Sequence, residues 1–294
     1  MIDKVAARLA AIVKEEAADR IPSDQFLSLS SCSLSTVFVD GGSGIVLNTP
    51  SYCLAFLRVY ACQYEGVRRI RSWSEQGFCV IRSGKNFTVE FFGLDYPKLS
   101  VASDEKMEAH HCVDIVRKWL EARFACSCCT DVKSGSLLVL DGDLDAEHDL
   151  EARALCGLKK ACADRSVLLA GLSKTNRFLT ENGSATVGVL LRCGPTAPWC
   201  LNHAKVSFAK LHERARYVFR IDSDDPLKAA SALRVHAVDP AFVGYPYGLV
   251  EADARARVSR REVVQFALEL SVRVPRQEGV RALDAHAVLD RMNA

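Results

Sequence analysis

The chain has almost no net charge, with 38 Lys and Arg against 36 Asp and Glu leaving +2 over 294 residues. No global basic field announces nucleic acid, so any such contact has to be local. Also missing is a run of about 18 apolar residues, the length of a bilayer-spanning helix. The opening segment Met1–Arg20 carries Lys4, Lys14, Glu15 and Glu16, which is not the pattern of a signal peptide. A cytoplasmic protein without membrane association is expected. There is no internal repeat, no long low-complexity linker, and none of the paired C-x-x-C spacing of structural zinc sites. Twelve cysteines are present, but many sit inside apolar runs, as Cys53, Cys62 and Cys79 do. Buried free thiols are the default reading. Zinc held by Cys126, Cys128 and Cys129 with His110, His111 and Cys112 is the lesser one.

A chain of this length buries a sizeable core, and one domain over 1–294 is expected. Ile2, Val5, Leu9 and Val13 fall at helical spacing and predict an amphipathic helix over Ile2–Ala18. A Pro/Ser/Asp break follows, and then come short β-rich runs at Leu34–Asp40, Tyr52–Cys62, Val67–Ser74, Phe78–Arg82 and Phe87–Phe92. Turn signals at Glu65-Gly66, Gln76-Gly77 and Gly84-Lys85-Asn86 make these an antiparallel meander. Periodicity then switches to a helix from about Asp104 to Ala125, with Val113, Val116, Leu120 and Phe124 on one face. Beyond it the pattern predicts a strand ending at Asp141, a helix over Glu147–Ala163, and a buried strand at Val167–Ala170. Three further β-like runs are Thr186–Arg192, Lys205–Leu211 and Tyr217–Ile221. Helices are expected at about Pro226–Val235, Pro246–Val258, Arg261–Val272 and Val280–Met292.

Two segments carry the chemistry. Val37–Gly44 reads VFVDGGSG and delivers Asp40 from an apolar strand into what reads as a glycine-rich turn, while Ser136–Leu144, SLLVLDGDL, places Asp141 at the matching strand-to-turn position. A carboxylate so placed either holds a metal or faces a phosphate. On the intervening helix Glu121 lies roughly 95° from the centre of the apolar stripe at about 100° per residue, so it can look along the sheet toward the strand ends. Glu108, near the helix start, more simply complements the helix dipole. Asp253 shares a helix face with Leu249 and Val250, and its choice lies between a metal and a salt bridge to Arg257 at i+4.

Strand aspartate, meander, helix and strand aspartate, in that order, resemble the ribonuclease H-like fold: an α/β core with a mixed sheet, an antiparallel meander and flanking helices. In that fold carboxylates converge on two metal ions about 4 Å apart that activate water. More specifically, VDGGSG around Asp40, RKWLEAR around Glu121, LDGDL around Asp141, LAGLSKTN around Lys174, YVFRID around Arg220 and GYPYGLVEAD around Tyr245 and Asp253 resemble the NurA nucleases. These motifs stand in family order from about residue 35 to 258.

The resemblance implies a manganese-dependent (Mn2+, alternatively Mg2+) deoxyribonuclease, 5′–3′ exonucleolytic and single-strand endonucleolytic. It would be a homodimer acting with a hexameric HerA-type ATPase in DNA end resection. Carried over by position, Asp40, Glu121 and Asp141 are metal ligands and Tyr245 is the active-site tyrosine. Asp253 stands where the family usually has histidine, and Asp143 stands where it commonly has serine. An oxygen ligand at 253 still suits manganese or magnesium, but it cannot act as a neutral imidazole would. Lys174 and Arg220 are candidate phosphate contacts. Arg68, Arg69 and Arg71 with Trp73 form a candidate single-strand ribbon. Alternatives to a nuclease are a catalytically weak DNA-binding adaptor of the ATPase and an actin-like ATPase using DGGSG as a phosphate loop.

Overall fold

Along VFVD the apolar side chains alternate, sending Val37 and Val39 into one core and Phe38 into another. Burial on both faces marks a strand in the interior of a covered sheet. The computed structural model describes residues 1–16, 20–102, 107–174, 178–203 and 206–273. Its strands are β1 (Leu27–Ser28), β2 (Ser35–Asn48), β3 (Tyr52–Glu65), β4 (Arg68–Arg82), β5 (Phe87–Phe92), β6 (Leu99–Val101), β7 (Leu137–Asp141), β8 (Leu168–Ser173), β9 (Trp199–His203), β10 (Val206–Lys210) and β11 (Phe219–Ser223). The helices are α1 (Ile2–Glu16), α2 (Cys112–Thr130), α3 (Asp149–Asp164), α4 (Thr186–Cys193), α5 (Pro226–His236), α6 (Tyr247–Ala256) and α7 (Arg260–Arg273).

All eleven strands form one sheet in the order β1-β9-β10-β11-β8-β7-β2-β3-β4-β5-β6. The centre is parallel, β2 with β7 and β7 with β8. The β2–β6 meander on one side is antiparallel, and so is the flank beginning at β11. One core lies between the sheet and α2 and α3, built from residues such as Val39, Leu57, Ile81, Leu120 and Leu158. The opposite face is covered by α5 and α6 around Phe38, Tyr60, Leu172, Leu233 and Leu249. A smaller cluster joins Leu190 of α4 to Trp199, Leu201 and Phe208. The α/β mixed sheet with flanking helices is therefore as the sequence implied.

Several local expectations are corrected. DGGSG is not a turn: β2 runs straight through it to Asn48, with Gly41 opposite Val59 and Gly44 opposite Phe56. Gly42 is needed because a Cβ there would lie 2.2 Å from the Ala256 carbonyl oxygen, so it admits the end of α6 to the strand. Val67–Ser74 and Phe78–Arg82 are one strand, β4. Its Gly77 marks a close approach rather than a turn, since a Cβ would lie 2.4 Å from the Phe92 carbonyl oxygen. Thr186–Arg192 is not a strand but helix α4, and β9 had no forerunner in the sequence reading. The helix expected from Asp104 begins as α2 at Cys112 and extends to Thr130. Pro246 caps α6 rather than opening it. The expected helix Val280–Met292 lies outside the described residues. Ile2, Val5 and Leu9 of α1 are exposed.

Candidate functional site

Strand β7 stops at Asp141 whereas its parallel neighbour β2 continues, and this mismatch makes the site. Val39 pairs with Leu140 in the last parallel step, so Asp40 and Asp141 follow side by side at the end of the short strand. Alternation turns Asp40 to the α6 side, where its cross-strand partner is Tyr60. From the α2 side Glu121 reaches the next residue, its Oε2 lying 3.1 Å from where a Gly41 Cβ would be. Glycine at 41 thus leaves room for the helix acid. Gly142, at φ +122°, lets the chain leave β7 sharply after Asp141.

The acids perturb one another. Asp40 is buried, and its carboxyl is pushed up to about 7, chiefly by burial and then by the Asp141 charge. The Gly41 N–H, 2.7 Å from Asp40 Oδ1, and the charge of Arg117 oppose the rise. Burial drives Glu121 well above the usual carboxylate range, with Arg117 opposing and Asp40 and Asp141 adding to the shift. Arg117 donates to Glu121 Oε2 at 3.0 Å and to the Gly41 carbonyl at 3.2 Å, while its other nitrogens hold Asp114 Oδ1. It was absent from the sequence reading, although its i−4 spacing to Glu121 on one helix was a legible signal.

Asp141 has two partners. Lys174, just past the end of β8, places Nζ 2.6 Å from Oδ2, and the buried Tyr245 hydroxyl donates to Oδ1 at 3.3 Å. Burial, then the charges of Asp141 and Asp40, raises Tyr245 above the ordinary phenol range, so its proton stays on. Asp253 pairs with Arg257 Nη2 at 2.7 Å, the salt-bridge alternative. Its charge still acts on Asp40 and Tyr245. The structure thus brings Asp40, Glu121, Asp141, Tyr245, Asp253 and Lys174 to one locality.

The remaining candidates lie apart from it or are already engaged. Arg220 is within β11 and is ringed by Asp143 at 3.5 Å, Asp222 at 2.8 Å and Asp145. Arg69 pairs with Glu251 of α6 at 2.7 Å. Arg71 lies over the Trp73 ring at 4.3 Å and also meets Asp131. Arg68 begins β4 opposite Glu65.

A divalent ion is implied by the resemblance, and three neighbouring carboxylates are a hard-oxygen donor set suited to Mg2+ or Mn2+. The donor chemistry fits. Among the described residues, however, no three His, Cys, Asp or Glu side chains are gathered as a metal-holding group. Glu121 reaches β2 from the α2 face, Asp40 projects from β2 on the α6 side, and Lys174 is paired with Asp141.

The fold is of the ribonuclease H-like class, and Asp40 and Asp141 lie side by side where its short central strand β7 ends. In three dimensions the chain matches the NurA nuclease from Sulfolobus solfataricus with a TM-score of 0.60 at 12% identity, covering 94% of this chain and 96% of that one. A second NurA structure matches with a TM-score of 0.60 at 9% identity, covering 95% and 98%. The fold is that of these NurA structures over nearly its whole length. No protein-family model matches the sequence, and no curated protein matches it. Among the described residues no helix is long and apolar enough to cross a membrane.

Proposed function

We propose that the chain is a metal-dependent nuclease that hydrolyses phosphodiester bonds of DNA, with Asp40, Glu121 and Asp141 holding Mn2+ or Mg2+ and Asp253 at the rim. One observation carries this reading: three acids, two of them buried, lie around the end of β7, where the charge of Asp141 raises Asp40 and the charges of Asp40 and Asp141 raise Glu121. Ionising such a set without a cation is costly. When bound, the ion supplies Lewis-acid chemistry, making water nucleophilic near neutral pH and stabilising the leaving oxygen. Arg117 holds Glu121 against β2 through Gly41. The neutral Tyr245 hydroxyl orients Asp141. Lys174, whose ammonium sits over the Tyr245 ring at 4.9 Å, is placed to turn from Asp141 to a substrate phosphate.

The neighbours called NurA nucleases support this reading through their shared fold, as does the order of motifs. Action at DNA ends with a hexameric HerA-type ATPase, in the cytoplasm and as a homodimer, completes the proposal. The exposed apolar stripe of Ile2, Val5 and Leu9 suits self-association, which size-exclusion chromatography with light scattering would measure.

Cleavage of end-labelled single- and double-stranded DNA, titrated with Mn2+ and Mg2+, tests the activity. Wild type should cut with metal and not in chelator, and Asp40→Ala should lower the rate by at least about a hundredfold, the scale of lost metal-site interactions. Cutting in chelator would sink the metal mechanism, and full activity in Asp40→Ala would sink the site. The ion pairs already formed by Asp141 and Asp253 favour one second reading, a DNA-binding adaptor with weak chemistry. DNA binding without cleavage under any metal would select it.

A further inference from the structure

Beside Tyr245 lies a cleft of about 410 Å³ whose other rings, Tyr217, Phe219 and Phe242, the phosphodiester chemistry does not use. Its rings run from surface to interior. Tyr217 and Phe219 have centroids 6.3 Å apart, and Phe219 and Tyr245 are 5.4 Å apart. Tyr217 and Phe242 on this lining are each 55% exposed, and Lys174 and Arg257 also line it, each paired with an acid. The cleft and the acids share a boundary, because Tyr245 and Lys174 both contact Asp141, at 3.3 and 2.6 Å.

We propose that this cleft is a subsite for one unpaired nucleobase of the strand whose phosphate lies at Asp40 and Asp141; the idea rests on the phosphodiester reading above. A nucleobase has apolar faces that stack on aromatic rings, and every base has such a face, so an aromatic wall accepts it whatever the sequence. Lys174, once turned from Asp141 as in the reading above, is the cation that meets a phosphate flanking the base. A base still paired within a duplex has its faces covered by its neighbours and cannot enter. The cleft therefore selects single strands, frayed ends and flaps over intact duplex. Asp253 is the one acid on the wall, and Arg257 neutralises it at 2.7 Å, so phosphates are not repelled there.

The test measures binding of the full-length chain, in chelator, to a fluorescein-labelled 12-residue oligodeoxynucleotide and to the same strand with abasic sites. Wild type should bind the base-bearing strand about tenfold or more tightly than the abasic one, the scale of one stacked base. In Phe242→Ala combined with Tyr217→Ala that ratio should fall toward one, and Phe242→Trp should preserve it. Both residues are more than half exposed, so the fold does not depend on them. Equal binding of the two strands by wild type, or an unchanged ratio in the double variant, overturns the subsite. Base-dependent binding in a chain that never cleaves keeps the subsite and sinks the nuclease reading. Metal-dependent cleavage with an unchanged ratio does the reverse.

Discussion

Replacing Asp40 with Asn should make the metal-free protein more stable at pH 8. Asn keeps the shape, and its Oδ1 can still accept the Gly41 N–H that now lies 2.7 Å from Asp40. What it removes is a charge in a place that disfavours charge. Burial and the neighbouring Asp141 raise the Asp40 carboxyl from 3.8 to about 7. At about 1.36 kcal/mol per unit, ionising it in the folded chain costs about 4 kcal/mol more than in the unfolded one. Between pH 3.8 and 7 the folded state binds the extra proton, so wild-type stability falls as pH rises through that window and is flat above it. The Asn variant has no such slope at this position. In chelator the stability difference between them should therefore grow by about 2 kcal/mol from pH 5 to pH 7 and level off above that. Urea titrations of both proteins at a series of pH values read this directly. A pH-independent difference, or a wild type more stable than the variant at pH 8, would refute the account of Asp40 as a buried acid among acids. Added Mn2+ should reverse the order, because cation binding favours the ionised carboxylate and displaces its proton.

Gly42→Ala should destabilise the fold by about 1–3 kcal/mol, the usual range for forced overpacking, because the added Cβ would meet the Ala256 carbonyl. Denaturant midpoints measure it, and an unchanged midpoint would mean that α6 does not press on β2. Glu251 accepts hydrogen bonds from Tyr60 at 2.8 Å, from Tyr64, and from Arg69 at 2.7 Å. Burial raises its carboxyl, but these three bonds outweigh burial and hold it below the ordinary range. Glu251→Leu should cost about 1–3 kcal/mol by leaving buried donors unmatched, visible as a lower melting temperature; no change would show that the α6–β3 contact does not depend on this carboxylate.

The three acids were legible because each sits on a local pattern. Apolar runs end at Asp40 and Asp141, and helical periodicity puts Glu121 at the edge of a packed face. What surrounds them was decided by contacts remote in sequence. In TVGVLLR the leucines and arginine suit a helix but threonine and the two valines favour strand, so local propensity does not decide; α4 buries Val189 and Leu190 completely, Leu190 in the cluster with Trp199, Leu201 and Phe208. Lys174 and Arg220 read as phosphate contacts, yet Lys174 is partnered by Asp141 of β7 and Arg220 by acids of the β7–α3 connection and β11, a pairing invisible until the strands are ordered in the sheet.

The glycines after Asp40 show how a local motif can be right in residue and wrong in meaning. Read alone, DGGSG suits a phosphate cradle, which requires several N–H groups converging at a turn or a helix start. In the fold Gly41, Gly42, Ser43 and Gly44 are paired in register with Val59, Arg58, Leu57 and Phe56. Their side-chain positions, rather than their amides, carry the information. Gly41 admits Glu121 from one face, Gly42 admits the end of α6, and a Cβ at Gly44 would lie 2.6 Å from the Val263 side chain. Gly41 and Gly42 therefore remove an obstacle to helices that carry an acid, and Gly44 removes one to α7. The close approaches at Gly41 and Gly42 suit the proposed carboxylate site, with acids on α2 and α6 beside β2, and do nothing for a phosphate loop.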